Sequence, residues 1–156
     1  MDHLEQDAID YIAITRLQAS YADAVTRRAW AEFEDFFVPD ASVRVDTVSN
    51  PVMEMTGPRE VGEFIGRAIE RFEFFEFVIL NARVWTAVDG NADAARGRIF
   101  TCELRQDAAT GHWTNTFGVY QDTYVRHDEQ WRFATRRYQS IARSGRDDVF
   151  PLPDFG

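Results

Sequence analysis

The stretch VYQDTYVRHDEQWRFATRR, Val119 to Arg137, decides the fold. It reads as the later part of one strand, a turn at HDEQ beginning with His127, and a second strand starting at Trp131. Across this hairpin Asp122 and Arg136 have facing parities, which pairs them as opposite charges on neighbouring strands. Unpaired charges are not tolerated inside a protein, so the pair serves equally as a structural clamp or a substrate clamp.

The pattern extends outward on both sides. Runs from about Phe74 to Ala87, Ala92 to Arg105 and Trp113 to Arg126 read as long strands, with Trp131 to Arg143 as a fourth. DGN at Asp89 and TG at Thr110 supply the turns. Towards the N-terminus the period changes. Ile14, Leu17, Tyr21 and Val25 form a stripe on a helix from about Leu4 to Thr26. A short second helix covers roughly Ala29 to Phe36 and stops before Pro39. ASVRVDTV alternates as a strand, with Val43 and Val45 on one side and Arg44 and Asp46 on the other. GPREVGEFIGRAIERF, Gly57 to Phe72, is a third helix with Pro58 in its first turn. Helices first and a meander after them give an α+β fold, with three N-terminal helices on a curved, mostly antiparallel sheet. Residues 1–156 form one domain, and residues 144–156 are a tail punctuated by Pro and Gly.

Composition narrows the function. A hydrophobic content of 45% with 13 Phe supports a packed core. A net charge of -9 excludes nucleic acid, whose phosphates need a basic surface. No apolar run reaches the roughly 18 to 20 residues of a membrane span. The acidic start MDHLEQDAID is neither a secretory signal nor a transit peptide. A single cysteine, Cys102, rules out an internal disulfide and fits a reducing, cytoplasmic setting. All 17 basic residues are Arg, so no lysine is present for Schiff-base chemistry. His3, His112 and His127 fall in the tail and turns without metal-ligand spacing, and neither a phosphate loop nor a nucleophile elbow occurs. No metal or other cofactor is expected.

The pieces YADAVTRRAW, FFVPDA, GPREVGEFI, VILNARVW, DGNADA and VYQDTYVRHDEQWRFATRR, in that order from about Tyr11 to Tyr138, resemble the SnoaL-like branch of the nuclear transport factor 2-like superfamily. The resemblance implies a cone-shaped α+β barrel whose sheet wraps round a pocket. Relatives include ketosteroid isomerase, scytalone dehydratase, hexachlorocyclohexane dehydrochlorinase, polyketide cyclases and the β subunits of ring-hydroxylating dioxygenases. Most act on apolar molecules without cofactors, and the β subunits are structural partners, so the fold leaves function open.

The resemblance also implies roles by position. Dehydratase-like and dehydrochlorinase-like members use an Asp near the end of the first helix and a His on the following long strand. The matching positions here are Thr26 and Phe77, which cannot exchange a proton near neutral pH. Tyr21 falls where ketosteroid isomerase carries its oxyanion-hole Tyr, and Asp122 where it carries a protonated Asp. The isomerase base falls at Val45, with Asp46 one residue on, an offset that turns the side chain to the other face unless a bulge corrects it. Glu103 lies roughly where scytalone dehydratase places a second His.

Strand parity and the helix stripe place Tyr21, Phe37, Phe77, Ile79 and Trp85 in the pocket with Ile99, Tyr120, Arg136 and Tyr138. Asn81 shares the face of Phe77 and bonds either backbone or ligand, while Asp23 is placed to pair with Arg27 at i+4. Three functions fit. One is a cofactor-free acid–base enzyme on a hydrophobic, polycyclic-sized molecule, with Tyr21, Arg136 and Asp122 at an oxygen and Asp46 or Glu103 moving the proton. The others are a non-catalytic ligand-binding protein and a β-like subunit of an oxygenase. The strand from Phe74 to Ala87 is apolar on both faces and the tail is short, which points to a symmetric homodimer through the outer sheet face.

Overall fold

Asp2 starts the first helix. Its carboxylate accepts from the Glu5 backbone N–H at 2.8 Å, and the Glu5 carboxylate accepts from the Asp2 N–H at 3.4 Å. This capping box opens α1, His3–Arg27, in a computed structural model that describes residues 2–146 and 148–156. The buried stripe of α1 runs through Asp10, Ile14, Leu17, Gln18, Tyr21, Ala24 and Val25, at helical spacing. Arg28 ends the helix in the left-handed region at φ 59. That conformation costs a non-glycine residue about 1 to 2 kcal/mol. The Arg28 guanidinium donates to the Phe72 carbonyl at 2.5 Å, which fixes the turn against a later strand.

The second helix is a single 3-10 segment, Trp30–Asp35, that buries Phe33. Strand β1 then runs Phe37–Asp46, starting earlier than the alternation predicts. Pro39 sits where the pairing with the neighbouring strand is irregular, between Phe37 and Ser42, so its missing N–H breaks no ladder. Strand β2, Met53–Thr56, pairs antiparallel with β1 and is absent from the sequence reading, because four residues are too few to show a period. Helix α2 follows as Gly57–Ile69. Gly57 has φ +84, and a Cβ there would lie 2.8 Å from the Pro39 carbonyl oxygen, so only glycine fits this approach.

The four long strands are β3 (Phe72–Trp85), β4 (Ala94–Asp107), β5 (Trp113–His127) and β6 (Gln130–Arg143). The order across the sheet is β2-β1-β6-β5-β4-β3, and a two-residue β7, Asp148–Val149, pairs with β6. All pairings are antiparallel except β1 with β6, which is parallel. The fold is thus α+β on a curved mixed sheet. The sheet is not closed: β2 and β3 remain its two ends, which corrects the expected barrel. The concave face holds the core, where the rings of Tyr21, Phe33, Phe37 and Phe133 pack together with centroids 5.1 to 6.1 Å apart. No helix among the described residues is long and apolar enough to cross a membrane.

Bulges set which side chains reach the concave face. In β3 the register shifts between Ile79 and Asn81. Leu80 and Asn81 are both exposed there, and beyond the bulge Ala82 and Val84 turn inward. In β6 the register shifts between Ser140 and Ala142, so Ser140 and Arg143 both reach the inner side.

Candidate functional site

Between α2 and the concave face lies a cavity of about 330 Å³. Tyr21 and Val25 of α1 line it, with Val61, Phe64, Ile65 and Ile69 of α2 and Phe37, Val43 and Val45 of β1. The long strands add Phe72, Phe75 and Phe77, Glu103 and Arg105, Thr116 and Tyr120, then Arg136, Tyr138, Ser140 and Arg143. Apolar walls with a few convergent polar groups are the usual make-up of a small-molecule pocket.

The inner end is built round Arg136, 1% exposed and directly across the ladder from Asp122. Arg136 Nε donates to Asp122 Oδ1 at 2.8 Å and Nη2 to Oδ2 at 3.1 Å. Gln18 donates to Asp122 Oδ2 at 2.8 Å and to the Tyr124 hydroxyl, which itself donates to Oδ2 at 3.1 Å. Asp122 therefore only accepts in this network. It stands behind Arg136 and outside the cavity wall, rather than offering a proton to it. The guanidinium also lies over the rings of Tyr120 (3.9 Å), Phe133 (4.3 Å) and Tyr21 (4.4 Å). Burial works against its charge, but Asp122 beside it outweighs burial and keeps it more firmly protonated than usual. One nitrogen is left over. Arg136 Nη1 is buried and has no hydrogen-bond partner among the described residues.

Burial also raises the pKa of Tyr21 and of Tyr120, so both phenols stay protonated at neutral pH. Thr26 is not on the wall; its hydroxyl accepts from the Phe77 backbone N–H at 3.1 Å and ties α1 to β3. Asp23 forms a surface ion pair with Arg27 at 2.7 Å.

A second polar group lies further along the wall. Glu103 Oε2 is 3.8 Å from Arg105, and its side chain keeps 24% of its surface accessible, on the cavity. Burial pushes its carboxyl above the usual range, with the Arg105 charge opposing. Directly across the ladder, the Thr116 hydroxyl is buried without a partner among the described residues. The Tyr138 hydroxyl accepts from Ser140 at 3.3 Å, and its ring lies against Gly118, where a Cβ would meet it at 2.0 Å.

The structure thus brings Tyr21, Phe37, Phe77, Glu103, Tyr120, Arg136 and Tyr138 to one cavity. It does not bring Asp46, whose carboxylate accepts from the Val48 N–H at 2.8 Å. The register of β1 is regular from Ser42 to Asp46, and Val45 is on the wall instead. Ile79 and Ile99 pack in the core, off the cavity. Asn81 and Trp85 are carried away by the bulge in β3; Trp85 stacks under Arg83 and Arg96, both at 4.8 Å. Residues missing from the sequence reading include Arg105, Thr116 and Arg143. The first two share strand parity with Glu103 and Tyr120, a signal present in the sequence. Arg143 is hidden by the bulge at Ile141. Among the described residues no cluster of His, Cys, Asp and Glu could hold a metal.

The sequence model of the SnoaL-like domain matches residues 6–137 of this chain. No curated protein matches it. Among solved structures, a candidate scytalone dehydratase from Novosphingobium aromaticivorans is 18% identical with a TM-score of 0.77, covering 97% of this chain and 95% of that one. The type 3 LinA hexachlorocyclohexane dehydrochlorinase of Novosphingobium barchaimii is 19% identical with a TM-score of 0.75, covering 94% and 97%. Rv3472 of Mycobacterium tuberculosis, a protein of unknown function, is 21% identical with a TM-score of 0.76, covering 96% and 82%. At such identities the likeness is one of fold.

Proposed function

The chain belongs to the SnoaL-like domain family, and on that premise we propose a cofactor-free acid–base enzyme, of lyase or isomerase type, acting on a mostly apolar molecule that carries an oxygen. The observation that carries this reading is Arg136, a buried cation lining the cavity whose Nη1 has no hydrogen-bond partner among the described residues. A buried unsatisfied donor costs about 1 to 3 kcal/mol, and more when charged, and a ligand oxygen would satisfy it. In this reading Nη1 and the protonated phenols of Tyr21 and Tyr120 stabilise negative charge developing on that oxygen. Glu103, the carboxylate on the wall with a raised pKa, takes a proton from the adjacent carbon. Returning it elsewhere is isomerisation; loss of a neighbouring group is elimination. The Asp–His pair of dehydratase-like relatives is not used, since Thr26 and Phe77 stand at those positions.

The test is proton–deuterium exchange into a panel of cyclic ketones and enones in D₂O, followed by NMR. Exchange in at least one bound ketone, falling about 10²- to 10⁴-fold in Glu103→Gln with binding kept, is the expected result. Full-rate exchange in that variant overturns the role of Glu103. Tight binding without any exchange supports the second reading, a ligand-binding protein, which the inert Thr26–Phe77 contact favours.

The outer sheet face supports a homodimer. The tail covers part of that face, with Phe155 against Phe100 at 6.5 Å, yet Phe74, Leu80 and Trp113 stay 39%, 54% and 62% exposed. Light scattering should give twice the 18.0 kDa chain mass.

A further inference from the structure

Arginines crowd the wall of this cavity although the chain carries a net charge of -9. Besides Arg136, Arg71, Arg105, Arg143 and Arg146 line it, against one carboxylate among the described residues, Glu103. Among the described residues none of these four has a carboxylate within hydrogen-bond distance. Arg105 donates to the Thr114 hydroxyl at 3.3 Å and meets Glu103 only at 3.8 Å. Arg143 donates to the Ser49 hydroxyl at 2.6 Å and to the Thr47 carbonyl, and meets Asp148 at 3.9 Å. Arg71 and Arg146 have no carboxylate within 4.0 Å among the described residues. The guanidinium groups of Arg71 and Arg105 both pack on the Phe72 ring, at 4.8 and 4.9 Å.

Like charges on one ring repel unless something of opposite sign joins them. Guanidinium groups are the side chains best shaped to hold a carboxylate. Thr47, Ser49 and Asn50 line the same cavity near Arg143, and the last two are exposed, which places this group at the mouth. Resting on the pocket reading above, we propose that the ligand is an amphipathic organic acid. Its apolar body fills the cavity, and its carboxylate is held at the mouth by Arg71, Arg105 and Arg143. This end is separate from the oxygen that Arg136 meets, so the substrate class is an acid with a second oxygen at the far end of its apolar body. Burial foremost, then the neighbouring charges of Arg71 and Arg143, push the pKa of Arg105 down, with Glu103 opposing. A bound carboxylate reverses that effect.

Titration calorimetry with three matched probes tests this: naphthalene-2-acetic acid, its primary amide, and naphthalen-2-yl phosphate. The acid is expected to bind about tenfold or more tightly than the amide at low salt, with the ratio shrinking as salt rises. In Arg71→Gln/Arg105→Gln the acid-to-amide ratio should fall towards one. Phosphate binding tighter than the acid would overturn the carboxylate assignment. Equal binding of acid and amide to the parent protein overturns the proposal while leaving the apolar pocket standing. A ratio unchanged in the double variant overturns it too, because the preference then belongs to Arg136. Binding of none of the probes sinks the pocket reading with it.

Discussion

Two arginine–aspartate pairs cross the interior, and they differ in one nitrogen. Arg126 uses all three: Nη1 and Nη2 donate to Asp10 at 3.0 and 3.2 Å, Nε to Asp93 at 2.8 Å, and Nη2 again to the Ala92 carbonyl at 3.0 Å. Asp10 also accepts from Trp131 at 3.1 Å and Gln6 at 3.0 Å. This closed set staples α1 to the β5–β6 hairpin. Arg136, which lines the cavity, makes a bidentate pair of the same quality but leaves Nη1 without a partner among the described residues. The same two residue types therefore serve as staple or as binding group, depending on whether the donors are exhausted.

The largest effect should come from breaking the pair that is more deeply buried. Arg136→Met leaves Asp122 unpaired at 2% exposure, and a loss of about 3 to 5 kcal/mol in urea unfolding is expected. Arg126→Met should cost less, about 2 kcal/mol, because Arg126 is 25% exposed and water can reach it. An equal loss would erase the contrast. Next, Gly118→Ala should cost about 1 to 3 kcal/mol and shrink ligand binding together with stability, since Tyr138 must swing off the backbone into the cavity.

Acidity sharpens the same comparison with opposite signs. Burial pushes the Asp10 carboxyl up, but the hydrogen bonds from Arg126, Trp131 and Gln6 outweigh it and hold it below its usual value. Its stabilisation is present above the unfolded carboxylate pKa of about 3.9 and is lost as pH falls through the lower folded value. Asp10→Asn should thus be less stable than the parent at neutral pH and equal to it in strong acid. Glu103 is raised, so its folded state disfavours the charged form. Glu103→Gln should be the more stable chain above the raised pKa, with the difference vanishing below about pH 4. Thermal melts across pH 2 to 8 check both, and curves of the same sign would contradict the assignment. The smallest effect belongs to Thr116→Val, within about 1 kcal/mol of neutral or slightly stabilising, because its hydroxyl makes no bond to lose among the described residues.

Much of the fold was written in periods. The stripe of α1, the apolar face of α2 and the four long strands follow from spacings of three, four and two residues. Asp122 and Arg136 do face each other as their parities suggest, but across a register shift between Thr123 and Tyr124 that the turn alone does not give. Bulges carry no sequence mark, and each one inverts every parity beyond it. That is why Asn81 and Trp85 leave the concave face and why Arg143 arrives on it. Nor can a sequence show whether a donor has been used, so the free nitrogen of Arg136 was invisible. The open sheet had the same cause, since closure depends on whether two edge strands meet in space.

The parallel seam between β1 and β6 has a consequence for how the chain reaches this state. Val43 lies beside Arg136, about 90 residues along the chain, and no local pairing can substitute for it. The four-strand meander can zip hairpin by hairpin, but the seam must wait for a long loop to close, an entropic cost that slows folding. Val43, Val45 and Arg136 all line the cavity. The binding space should therefore be the last part of the molecule to appear during refolding. A fluorescent apolar probe added to a stopped-flow experiment should report a phase slower than the formation of strand structure.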